Sequence, residues 1–138
     1  MRRSNKGFTL IELMIVVVII GVLAALAIPR FMQAATKSKQ SEARDILKQI
    51  YTMQQAYFIE HETYALNGVT ASAAAPLAYS IIAIEIMPSA RYSYTITMPS
   101  TVQFTCIATA NLDDDATIDT WTISHTGTLV NTINDSVL

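Results

Sequence analysis

Glu12 is the one charged side chain between Phe8 and Ile28. As a helix rising 1.5 Å per residue, those positions extend roughly 30 Å, the thickness of a bilayer's hydrocarbon core. A carboxylate inside such a segment costs on the order of 3 kcal/mol unless it finds a partner, so an acid there marks a functional position. The chemistry open to it is electrostatic: it can receive a cation. Hydrolysis of the peptide bond between Gly7 and Phe8 creates one, an α-amino group four residues before Glu12. A neighbouring copy shifted by about one helical turn presents that amine at the same depth.

A second set of oxygen-bearing side chains falls at every other residue: Asn111, Asp113, Asp115, Thr117 and Asp119. This is the spacing of a calcium loop. The match is incomplete, because Ala116 stands where the sharp turn calls for glycine and Thr122 where a bidentate glutamate closes the site. A solvated acidic hairpin loop explains the same residues, and both interpretations stay open. His61, between Glu60 and Glu62, has no second histidine or cysteine near it in sequence and is expected at a solvated helix end. No nucleophile–base arrangement, phosphate-cradling glycine loop or paired-carboxylate site stands out, so no enzyme is expected. Nor does a basic, aromatic-lined stretch argue for sequence-specific nucleic-acid binding.

The elements that must position these residues follow from hydrophobic period. Ala43, Ile46, Leu47, Ile50, Met53 and Tyr57 recur at three- and four-residue intervals, with Lys37, Lys39, Glu42, Arg44, Asp45 and Lys48 largely off that stripe. One long helix is predicted from about 8 to 60, apolar all round in 8–29 and amphipathic in 30–60. Pro29 lacks the N–H owed to Ala25, and Gly21 is a weak helix former, so a break or local unwinding is expected between them. Residues 61–90 read as a connecting loop with a short helix or irregular strand. From Arg91 the period becomes two: Tyr92, Tyr94, Ile96 and Met98 alternate with Ser93, Thr95 and Thr97, and Met98–Thr101 reads as a turn. Val102, Phe104, Cys106 and Ala108 repeat the pattern, as do Asp119, Trp121 and Ile123, and His125-Thr126-Gly127 turns the chain into 128–132. The prediction for 91–138 is three or four antiparallel strands whose apolar face covers the helix stripe, an α+β arrangement.

Lys6-Gly7-Phe8-Thr9-Leu10-Ile11-Glu12, with a basic leader before it and Gly21 and Pro29 behind, resembles the class III signal peptide and N-terminal helix of type IV pilins and of the related type II secretion pseudopilins. The likeness covers about residues 1–60. It implies the pilin fold and a precursor in the bacterial inner membrane, single-pass, with a cytoplasmic N-terminus and 1–7 as leader. It further implies cleavage between Gly7 and Phe8 by a prepilin peptidase, N-methylation of Phe8, and growth by the pilus assembly machinery into a helical homo-oligomeric filament outside the cell. In that filament Glu12 pairs with the Phe8 amine of a neighbour, and the stretch from Gly21 to Pro29 extends. The expected function is that of a structural subunit, a major pilin, serving adhesion, twitching motility or related surface functions. The alternatives are a pseudopilin or minor pilin, and a membrane-anchored periplasmic binding module that does not polymerise. A conventional secretory signal cut after Ala25-Leu26-Ala27 competes for the N-terminus, against the acid and the uninterrupted helical period.

The 138 residues have room for one domain beside the N-terminal helix. Much of the 51% hydrophobic content sits in 8–28. Net charge is −2, and loss of Arg2, Arg3 and Lys6 takes the side-chain charge to −5. Arg30, Lys37, Lys39, Arg44 and Lys48 cluster on the helix, whereas Arg91 is the lone cation among the residues from Glu60 onward. Two solvated faces, or basic helix packing on acidic surface between copies, both fit this segregation. Cys106 is the only cysteine, so the cysteine pair that staples many pilins near the C-terminus is missing. Packing, or a bound ion, must do that work.

Overall fold

A computed structural model describes residues 7–113 and 116–135. Helix α1 runs from Leu10 to His61. Five strands follow: β1 Thr70–Ala71, β2 Ser93–Ser100, β3 Gln103–Ala110, β4 Asp119–Ser124 and β5 Leu129–Ile133. They form one antiparallel sheet in the order β1-β2-β3-β4-β5. The chain divides into two compact units, one ending at Ala34 and the other running from Ala35.

In the unit from Ala35 onward, the buried positions of α1 are Thr36, Gln40, Ala43, Leu47, Ile50 and Gln54, alternately four and three residues apart. That row is one face of a 3.6-residue helix. It lies on the sheet's apolar face, where Tyr94 and Ile96 of β2, Phe104, Cys106 and Ala108 of β3 and Ile123 of β4 are buried, with Tyr92 buried just before β2. Pairing sets Ile96 opposite Cys106 and Cys106 opposite Ile123, so the alternation of three strands stays in phase. The expected α+β packing of a helix on an antiparallel sheet is therefore present, with five strands in place of three or four. The extra one is the two-residue β1, too short to leave a periodic signal.

Two local expectations are corrected. Residues 98–100 are not a turn: β2 continues to Ser100 through a register shift after Thr97, which accommodates Pro99 near the end of the strand, and the chain reverses at Thr101–Val102. Val102 is consequently exposed rather than the first residue of an apolar face. Within the 61–90 connector, Tyr79, Ile82, Ile84 and Ile86 are buried around a 3-10 turn at Ser80–Ile82, the one short helix of that stretch among the described residues. At its end α1 stops on Glu62, whose φ of 57° is left-handed and whose N–H donates to the Phe58 carbonyl at 2.8 Å. The turn before β5 needs its glycine, because Gly127 has φ of 78° and a Cβ there would stand 3.1 Å from the Tyr51 ring.

In the unit ending at Ala34, α1 is helical without interruption through Gly21 and Pro29. The helix break expected at these two residues is absent from the single subunit. A proline forfeits one backbone bond and a glycine about 1 kcal/mol, and neither penalty unwinds a helix supported by apolar residues on both sides.

Candidate assembly site

Thr9 and Glu12 close a reciprocal hydrogen-bonded box at the start of α1. The Thr9 backbone N–H donates to Glu12 Oε2 at 2.8 Å, and the Thr9 hydroxyl donates to the same oxygen at 2.6 Å. The Glu12 N–H returns a 3.3 Å bond to Thr9 Oγ1. With Leu10 as the first helical residue, Thr9 is the N-cap and Glu12 the third helical position, the arrangement of a capping box. The box satisfies two helix-start donors that have no partner within the helix, and it places the carboxylate at the positive end of the helix dipole.

Gly7 and Phe8 precede the box outside any regular element, and Phe8 is 83% exposed. Behind the box, from Leu10 to Ile28, large apolar side chains face outward on every side. This is a helix long and apolar enough to cross a membrane, with none of its most apolar window buried. Gly7, Phe8 and Glu12 thus lie within one short segment, with the scissile bond predicted from sequence just outside the helix and the acid in its first turn. Thr9 escaped sequence reasoning, although the Thr-x-x-Glu spacing was visible in it.

The acidic loop gives a different result. Asp119 is fully buried and accepts five hydrogen bonds. Its Oδ1 receives Gln40 Nε2 at 2.8 Å, Asn131 Nδ2 at 3.2 Å and the Asp135 N–H at 3.1 Å. Its Oδ2 receives the Tyr92 hydroxyl at 2.6 Å and the Trp121 indole N–H at 2.7 Å. Every lone pair is turned toward a protein donor, so Asp119 does not belong to the calcium set. Its place on the apolar face of β4 explains why: alternation drives it inward, away from the loop. Asn111 accepts a 3.4 Å bond from the Asp113 N–H, a local turn contact. The Leu112 carbonyl accepts from the Lys39 ammonium, which ties the start of the loop to α1. Asp115 lies outside the described residues, and among those described no group of three His, Cys, Asp or Glu side chains converges. Among the described residues of the set, Asp119 is the one the structure places away from the loop, in the buried network beneath β4.

The same contacts show what holds the C-terminal region. Gln40 uses its second amide hydrogen on Asn134 Oδ1 at 2.8 Å, and Asp135 Oδ2 accepts the Leu112 N–H at 2.9 Å. The helix, strands β4 and β5, the residue leading into β2 and the last described residues are tied through one carboxylate where a disulfide was expected to be lacking. Cys106 is buried and reduced, and burial pushes its thiol up to about 12.

A methylation-type N-terminus leading into an unburied apolar helix, whose second half packs on an antiparallel sheet, defines a pilin-like protein. Comparison with known proteins agrees: residues 2–28 match the prokaryotic N-terminal methylation motif. The chain is 59% identical over 61 residues to the type IV major pilin protein PilA of Myxococcus xanthus, covering 44% of this chain and 28% of the relative. It is 37% identical over 76 residues to the type IV major pilin protein PilE1 of Neisseria gonorrhoeae, covering 55% and 46%. It is also 41% identical over 63 residues to the type II secretion system core protein G of Pseudomonas aeruginosa, covering 46% and 44%. The chain spans less than half the length of each of these relatives.

Proposed function

We propose that this chain is the structural subunit, a major pilin, of a type IV pilus. The precursor sits in the bacterial inner membrane through residues 8–28, is cut between Gly7 and Phe8 by a prepilin peptidase, and is N-methylated on Phe8. Its physical logic is exchange of surroundings. The outward-facing apolar helix is covered first by lipid and then by the helices of neighbouring copies, two environments of comparable apolarity, so leaving the membrane has a small net cost. Glu12 supplies what apolar contact lacks, register: its carboxylate meets the Phe8 amine of a neighbour. The chain performs no catalysis, and its partners are further copies of itself, the peptidase and the assembly machinery.

The observation that carries this function is the capped acid at the head of an unburied apolar helix, inside a matched methylation motif. Mass measurement of filaments sheared from cells, with labelling of the shaft by an antibody to this chain, tests it. Loss of residues 1–7, a methyl group on Phe8 and label along the whole shaft are expected. A full-length or differently cut chain, or no label on filaments, rejects it. The similarity to a type II secretion core protein supports a second function, a pseudopilin of the secretion machinery. Label absent from surface filaments together with failed protein export on deletion would select it.

A further inference from the structure

We propose that Thr9 is a positioning residue for assembly: it holds Glu12 by one oxygen so that the other is presented to the incoming amine. The inference rests on the proposed pairing of Glu12 with a neighbour's Phe8 amine and adds a residue to it.

Both donors from Thr9 converge on Oε2, at 2.8 and 2.6 Å. Among the described residues Oε1 receives no hydrogen bond. A carboxylate at the edge of an apolar segment must have donors before its neighbour arrives, and here they come from the backbone and hydroxyl one turn earlier. The carboxylate is thereby prevented from bending toward water. A long, flexible side chain is fixed before docking, so ordering it does not weigh against the encounter. The unoccupied oxygen has one strong use, a charge-assisted bond to an ammonium.

The box also survives processing. It spans residues 9 to 12, and the amide that Thr9 donates belongs to the Phe8–Thr9 peptide bond. A cut between Gly7 and Phe8 leaves both untouched. The acceptor geometry is therefore the same in the precursor and the mature subunit, and what the cut adds is the cation alone.

Four variants of the full chain, expressed in cells that build filaments from it, test this. Thr9→Val keeps the shape and removes the hydroxyl, Thr9→Ser restores it, Glu12→Ala removes the acid, and the fourth combines Thr9→Val with Glu12→Ala. Thr9→Val subunits are expected to be inserted and cleaved like the wild type, as read by mass. Sheared filament should fall roughly tenfold, the loss of one hydrogen bond to a charged group, and Thr9→Ser should stay within about twofold of wild type. In the Glu12→Ala background Thr9→Val should change nothing further, since Thr9 acts through Glu12. Amide exchange on the processed subunit in detergent micelles gives a separate measure: the Thr9 N–H should be protected in the wild type and exposed in Glu12→Ala. Wild-type filament yield from Thr9→Val beside failure of Glu12→Ala overturns the role of Thr9 and leaves the Glu12 pairing standing. Normal filaments from Glu12→Ala overturn the pairing itself. Accumulation of uncleaved Thr9→Val would also overturn the proposal, because Thr9 would then act on the peptidase.

Discussion

Gln40 on α1 and Asp119 at the start of β4 share a 2.8 Å hydrogen bond between buried groups 79 positions apart in sequence. The contact fastens the helix to the far strands at the place where the chain has no second cysteine. Asp119→Ala strands the Tyr92 hydroxyl, the Trp121 indole and the Asp135 N–H away from water, and should cost about 3 kcal/mol or more. Gln40→Leu removes one donor from a carboxylate that keeps four, and should cost about 1–2 kcal/mol. Urea unfolding in detergent, followed by the fluorescence of Trp121, reads both. The double variant should be less destabilised than the two single effects added, because the residues share one network. Strict additivity would show that Gln40 and Asp119 act independently.

Gln54 makes the corresponding tie at the helix's other end. Its amide is fully buried and pairs twice with the backbone of Ala65, Nε2 donating to the carbonyl at 2.8 Å and Oε1 accepting the N–H at 3.0 Å. The side chain imitates a strand partner for the segment that leaves the helix. Gln54→Leu fills similar space but orphans a buried N–H and a buried carbonyl, so a loss of about 2–3 kcal/mol is expected. Gln54→Glu should be no better than Gln54→Leu at neutral pH, since a carboxylate facing the Ala65 carbonyl has no hydrogen to give. Stability within about 0.5 kcal/mol of wild type for either variant would contradict the tie.

These two glutamines show where sequence reasoning stops. The apolar stripe of α1 was legible from Ala43 to Tyr57 because hydrophobic residues announce their own period, and the buried row does contain Ala43, Leu47 and Ile50. It continues through Thr36, Gln40 and Gln54; the two glutamines are held by buried hydrogen bonds, and hydropathy has no means of separating buried polar residues from solvated ones. Asp119 is ambiguous in the sequence for a related reason. Its spacing in the loop is that of a metal ligand, while its parity in β4 points it at the core, and only the donors across the fold decide between the two. The N-terminal segment is the opposite case. Thr9 and Glu12 interact within one helical turn, and Gly7 and Phe8 adjoin them in sequence, so both spacing and geometry are local.

Alkali should unfold the domain in a defined window. Burial raises Tyr79, Tyr92 and Tyr94 well above the usual tyrosine range; the Asp119 hydrogen bond adds to the effect at Tyr92 and the Glu42 charge adds at Tyr94. A group held neutral in this way contributes stability that is complete below its unfolded pKa and lost as pH rises toward its folded one. For Cys106 the loss begins near the ordinary thiol value of 9.0 and runs to about 12; for the tyrosines it begins near 10.0. Urea midpoints should therefore be flat from neutral pH to about pH 9 and fall progressively above it. Cys106→Ala should move the onset upward by about one pH unit. A thiol reagent should label Cys106 at pH 8 only in unfolding concentrations of urea; rapid labelling of the folded protein at that pH would show that the thiol is accessible.

Calcium removal separates the two explanations of the acidic loop. Asp119 is engaged by five donors, and the Leu112 carbonyl is engaged by the Lys39 ammonium. An ion bound only by the folded state raises stability by the free energy of its binding, about 2.7 kcal/mol at a hundredfold excess over Kd. A chelator would then lower Tm by several degrees or more. The contacts of Asp119 and Leu112 instead predict a Tm unchanged within about 1 °C by chelator or by added calcium. Lys39→Met, which keeps the aliphatic stem and removes the ammonium, should lower Tm by a few degrees and make the loop's carbonyl available to solvent or to an added cation. A wild-type Tm that falls on chelation would instead place an ion on the oxygens of Asn111, Asp113 and Thr117, with Asp119 still directed inward.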